Sequence, residues 1–129
     1  LGDFVRTSPI STSFGFDRGN PIDRYYIENF LGKNAGDIRG RVLEIGDNSY
    51  TVRFGGHGVD RSDVLHVDAN NPAATIVGDL SQSGILPPDA FDCIVLTQTL
   101  HLIFDMRKAV AELARSLKPG GTLLVTVPG

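Results

Sequence analysis

Five short runs rich in Val, Ile and Leu recur along this chain without regular polar alternation: 41–45 (RVLEI), 63–67 (DVLHV), 74–77 (ATIV), 91–97 (FDCIVLT) and 122–127 (TLLVTV). A strand with one wet face alternates in polarity, so unbroken apolar runs suit strands covered on both faces. That is the habit of parallel sheets, whose strands need crossover connections. The clearest crossover spans residues 105–117: Met106, Val110, Leu113 and Leu117 form one helical stripe, and Arg107, Lys108, Glu112 and Arg115 form the side expected to face solvent. Lys118-Pro119-Gly120-Gly121 ends that helix. The expected fold is therefore α/β, a doubly wound sheet of about five parallel strands with right-handed crossovers.

Other connections are slighter. Residues 47–62 leave room for only a turn or two of helix before Gly55-Gly56, and residues 80–90 read as loop. Upstream, Asn20 as N-cap, Pro21 at the first helical position and Asp23 behind it predict a helix over 21–31. Its apolar face would hold Ile22, Tyr26 and Phe30, with Ile27 and Leu31 alongside and Gly32 as the stop. Residues 1–19 show no sustained period and read as an arm, with Phe14 and Phe16 as docking points; residues 20–129 form the domain.

At 129 residues the chain is expected to fold as one domain. A net charge of −3 lacks the basic footprint of a nucleic-acid or acidic-membrane binder, so neither partner is expected. No apolar run approaches the ~20 residues of a membrane span, and the first residues lack a signal-peptide pattern. With a single cysteine, Cys93, in mid-strand, these features suit a cytoplasmic setting and an inert core thiol. His57, His66 and His101 match no metal-ligand spacing.

In open α/β sheets ligands bind beyond the carboxyl ends of the strands, where strand order reverses. Here the strands end in Gly46-Asp47, Asp68, Gly78-Asp79 and Thr97-Gln98. Asp68, some twenty residues after the first turn, is placed either to accept both hydroxyls of a ribose or simply to close an Asx turn.

The segments LEIG (43–46), HVD (66–68), GDL (78–80), AFDCIVLTQTLHLI (90–103) and LKPGGTLLVTVPG (117–129) resemble, in order and separation, class I S-adenosylmethionine-dependent methyltransferases. These are Rossmann-like domains, here similar to the bacterial type 11 kind. The resemblance implies S-adenosylmethionine as cofactor. It makes Glu44 and Gly46, with Asp47 and Asn48, the loop around the cofactor's methionine end. It makes Asp68 the ribose acid, Asp79 the acid facing the adenine amino group, and Leu80 a packing contact. Thr97 and Gln98 would line the sulfonium and acceptor side, and His101 is the candidate base for a hydroxyl acceptor.

Two departures from the family stand out. Its E-x-G-x-G-x-G becomes Glu44-x-Gly46-x-Asn48-x-Tyr50, in which Asn tolerates left-handed geometry but Tyr fills space. Its two strands after the fifth have no counterpart here, so the domain is expected to be C-terminally incomplete. The 122–127 strand is expected to be an exposed edge unless a second copy or a fused domain covers it. The expected activity is methyl transfer to a small-molecule or sugar-like acceptor. The alternative is a catalytically inactive cofactor-binding or structural module, and a nicotinamide dehydrogenase lacks its G-x-G-x-x-G here.

Overall fold

All five expected strands are present in a sheet of six, every pairing parallel. The computed structural model describes residues 11–17, 21–97 and 106–128, with side chains described for 24–97 and 107–126. The strands are β1 (Ser11–Asp17), β2 (Gly40–Ile45), β3 (Val59–His66), β4 (Ile76–Val77), β5 (Phe91–Thr97) and β6 (Leu117–Pro128), and the main helices are α1 (Pro21–Lys33) and α2 (Met106–Ser116). Their spatial order is β1-β6-β5-β2-β3-β4. From β2 the chain steps outward through β3 and β4, then returns to β2's other side as β5 and β6, so strand order reverses between β2 and β5.

The unbroken apolar runs are explained by two cores, one on each face of the sheet. Leu43, Ile94, Leu96, Leu123 and Val125 pack with Ala109 and Leu113 of α2. The alternate residues Val42, Cys93, Val95 and Leu124 pack with Ile27 and Leu31 of α1. Each fully buried aliphatic side chain contributes about 1.5–3 kcal/mol before ordering entropy is counted.

Several expectations change. Residues 11–17 are not loop: β1 pairs along β6, from Ser11 opposite Thr122 to Asp17 opposite Pro128. The 122–127 strand is therefore not an open edge. Its unpaired N–H and C=O groups find partners in the same chain, and an outermost strand needs no long apolar run of its own. On α1 the buried positions are Ile27 and Leu31, whereas Tyr26 is 42% and Tyr25 70% exposed. Ile27 and Leu31, four residues apart, face the sheet with Phe30 packed beside them, and Tyr26 falls outside that face. The helix also runs through Gly32, and Asn34 closes it by donating from Nδ2 to the Phe30 carbonyl at 2.8 Å.

Glu112 is not solvated; only 2% of it is exposed. Its carboxylate accepts from the backbone N–H of Gly84 (2.9 Å) and of Leu86 (2.8 Å), and Arg115 Nη2 donates to it at 2.8 Å. Those bonds hold the 80–90 connection, which is irregular as expected, on α2. The 47–62 connection is also slim: a π-helical turn at Thr51–Gly55 and a 3-10 turn at Gly56–Gly58. A second buried acid, Asp63 on β3, accepts from Arg41 Nε at 2.8 Å and from the Thr75 hydroxyl at 2.8 Å, which ties β2, β3 and the approach to β4 together. Asn20, Gln98 and His101 lie outside the described residues.

Candidate functional site

Because every strand runs the same way, all carboxyl ends meet at one edge. A cleft of about 440 Å³ opens there, at the point where strand order reverses between β2 and β5. Helix α1 contributes Arg24 and Glu28 to its wall, β2 contributes Glu44 and Ile45, and β5 contributes Thr97. The turn after β2 adds Asp47, Ser49 and Tyr50, and the π-helical turn adds Arg53.

Glu44 belongs to β2, on the sheet face that also carries Val42, and only 2% of it is exposed. Its Oε1 accepts from the Thr51 N–H at 2.8 Å and the Thr51 hydroxyl at 2.7 Å, and its Oε2 from the Tyr50 N–H at 3.4 Å. These donors open the short helical segment, where N–H groups lack helical partners and attract negative charge. Burial nevertheless dominates and pushes the Glu44 carboxyl up to about 7. Its neighbour Asp47 is opposite in character. The backbone N–H of Ser49 (2.9 Å) and its hydroxyl (2.7 Å) hold the Asp47 carboxyl below the usual range.

Gly46 adopts φ +100°, and no atom beyond its own chain neighbours lies within 4 Å of where a Cβ would stand. A glycine is needed for that φ, and the space beside it is free for a ligand's close approach. Asn48 contributes its backbone carbonyl, which accepts from Val52 N–H at 3.0 Å and starts the next turn. Tyr50 is half-buried, its ring centroid 5.9 Å from that of Phe54.

The remaining strand-end acids stand further along the same edge and do not line the cleft. Asp68 is exposed and accepts from Asn70 N–H at 2.9 Å, which is the Asx turn weighed from the sequence. Asp79 is exposed too. The Ser81 N–H and hydroxyl, each at 2.9 Å, hold its carboxyl below the usual range. Leu80 is buried in the α2-side core. The structure thus gathers Glu44, Gly46, Asp47 and Thr97 at the switch point, with Asp68 and Asp79 along the rim.

Six cleft residues were not among the expected site: Arg24, Glu28, Ile45, Ser49, Tyr50 and Arg53. Arg53 Nη1 pairs with Glu28 Oε1 at 3.0 Å, so these two neutralise each other. Arg24 makes no ion pair with another described residue. The signal that could have found it is its place on the helix preceding β2, since that helix packs over the strand whose end forms the site.

Comparison with known proteins agrees with this geometry. A family model described as a methyltransferase domain matches residues 41–125. The ubiquinone/menaquinone biosynthesis C-methyltransferase UbiE of Marinomonas sp. is 33% identical over 112 residues, covering 73% of this chain and 43% of that protein. The chain thus spans less than half the length of this relative. A solved structure of a candidate type II methyltransferase from Anaeromyxobacter dehalogenans superposes with a TM-score of 0.53 at 26% identity, covering 78% of this chain and 46% of the other. The YcgJ protein of Bacillus subtilis shares the fold, with a TM-score of 0.52 at 24% identity over 70% of this chain and 47% of its own. The chain belongs to the methyltransferase-domain family, the class I, Rossmann-like domains that use S-adenosylmethionine.

Proposed function

We propose that the chain binds S-adenosylmethionine in the switch-point cleft and serves methyl transfer to a small-molecule acceptor. The observation that carries this reading is the cleft itself: an open space beside a positive-φ glycine, at the reversal of strand order, within the segment matched by the family model. Its donor set fits an amino-acid end, with Arg24 for a carboxylate and Asp47 for an ammonium. Asp68 and Asp79 are proposed for the ribose and the adenine amino group. Their present hydrogen bonds come from local turn N–H and hydroxyl groups, which leaves each a second carboxylate oxygen to accept another donor.

When bound, S-adenosylmethionine supplies a methyl group on a sulfonium, already a good leaving group. The chain's residues then have to orient and exclude water more than to activate, so positioning carries most of the rate. Arg24 and Asp47 fix one end, Tyr50 narrows the cleft beside Phe54, and Thr97 at the end of β5 faces the acceptor side. Gln98 is proposed to stand with Thr97. His101 is proposed as proton acceptor where the acceptor is a hydroxyl. The relative named as a C-methyltransferase of quinone biosynthesis makes a carbon nucleophile of that class the first arm of an acceptor screen, with sugar-like hydroxyls the second.

The rival reading, a binding module without catalysis, is favoured by Tyr50, whose ring stands in the cleft where the family's third glycine leaves room. Calorimetric titration with S-adenosylhomocysteine, beside Asp68→Ala, tests the site. Micromolar binding that weakens at least tenfold in the variant supports it, and a folded chain that binds nothing refutes it. Turnover with a screened acceptor then separates enzyme from module.

A further inference from the structure

The charges around the cleft are nearly balanced, and one of them is adjustable. Two arginines (Arg24, Arg53) face three carboxyl groups (Glu28, Glu44, Asp47). Arg53 and Glu28 cancel through their ion pair. Arg24 and Asp47 cancel in sum. The remaining group, Glu44, therefore sets the charge of the cleft: neutral when it holds a proton, −1 when it does not. Facing it are Asp47 and Tyr50 from the turn, Arg24 and Glu28 from α1, Arg53 from the π-helical turn and Thr97 from β5.

The geometry suits a group that changes state. Glu44 Oε1 is fully engaged by Thr51, whereas Oε2 has only the long 3.4 Å contact from Tyr50 N–H. Oε2 is thus the oxygen that can carry a proton. The nearby Asp47 charge pushes the Glu44 carboxyl further up, while the bonds from Ser49 keep the Asp47 carboxyl low.

Resting on the cofactor site proposed above, we infer that Glu44 is a charge-sensing specificity residue that distinguishes the sulfonium cofactor from its neutral thioether product. Glu44 ionises when a net positive ligand occupies the cleft and keeps its proton when a net neutral one does. S-adenosylmethionine carries a carboxylate, an ammonium and a sulfonium, net +1, and S-adenosylhomocysteine lacks the sulfonium and is net neutral. An ionised Glu44 complements the first, and a protonated Glu44 complements the second. Loss of the methyl group thereby weakens the hold of the ionised cleft on what remains, which favours product release.

Because the empty-cleft carboxyl lies at about 7, near-neutral pH is where the preference shifts. The sign follows: raising pH ionises Glu44 and favours the sulfonium. If only the ionised form holds the sulfonium, S-adenosylmethionine affinity rises about tenfold between roughly pH 6 and pH 8, and its ratio to S-adenosylhomocysteine affinity rises at least as much. Titration calorimetry of the chain with each ligand, at several pH values and in two buffers of different ionisation heat, reads both affinity and protons released. The expected result is a ratio that climbs with pH and about half a proton released per sulfonium ligand near pH 7, with less for the thioether. Glu44→Gln, which keeps an acceptor for Thr51, should make the ratio flat. A wild-type ratio that does not change with pH overturns the inference while leaving the cofactor site standing. Failure of both ligands to bind overturns the site and the inference together.

Discussion

Glu112 of α2 accepts the backbone N–H of Leu86 at 2.8 Å across 26 residues of sequence, and it is this bond, with its companion from Gly84, that makes the helix-free 80–90 connection a defined part of the fold. Glu112→Ala strands two backbone donors and removes the carboxylate partner of Arg115, so it should cost about 2–4 kcal/mol in urea unfolding at neutral pH. Burial alone would raise the Glu112 carboxyl, but the Arg115 and backbone bonds offset it and hold the group down at about 2. The stability this gives is present above the ordinary value of 4.5 and is lost as pH falls towards 2. Glu112→Ala should therefore lose less stability than wild type on going from pH 5 to pH 3.

Glu44 predicts the opposite slope. Its carboxyl is raised by burial from 4.5 to about 7, so its protonated form favours folding. That contribution is complete below 4.5 and disappears as pH rises through 7, amounting to about 3 kcal/mol across the window. Unfolding free energies between pH 5 and pH 8 should fall for wild type by this amount relative to Glu44→Gln. Equal slopes in the two proteins would show that Glu44 is not held as described.

Arg41→Ala tests the buried pair. Asp63 has a side chain only 2% exposed, and Arg41 is its nearer cation, at 2.8 Å against 3.4 Å for Arg61. Removing one partner from a buried pair costs about 3–5 kcal/mol. The remaining Arg61 contact places the expected loss near the lower end, measured by chemical denaturation at neutral pH.

Cys93 should be silent in the native state. It is fully buried between Val42 and Val95 on the α1 face, and burial pushes its thiol up to about 12. An aromatic disulfide reagent should label it at the rate of unfolding, and not in proportion to reagent concentration.

The strands were legible because burial on both faces leaves an unbroken apolar run, and Phe91–Thr97 is found with its expected ends. β1 was not, since an outermost strand such as Ser11–Asp17 carries few apolar residues and is defined by pairing with β6, more than a hundred positions away. Glu112 looked solvated because its charge neighbours Arg115 on the same helix; only the folded 80–90 connection brings N–H groups to it. Spacing alone put acids just beyond the strand ends, and Asp47 lines the cleft whereas Asp68 and Asp79 do not. The contact of Glu44 with Thr51 and the arrival of Arg24 from α1 depend on how the connection and the helix pack over β2, which no local pattern encodes. Tyr26 was misplaced because an apolar spacing of four also fits the neighbouring Ile27-Leu31 pair.

The central claim is that the ligand edge of this domain is the switch point between β2 and β5. Amide ¹⁵N chemical-shift mapping with S-adenosylhomocysteine tests it most directly. The amides of Gly46, Asp47, Ser49 and Thr97 should move, with smaller changes at Asp68 and Asp79, while Arg41 and Asp63 stay fixed. Shifts confined to the opposite edge, or none at saturating ligand, would contradict the account.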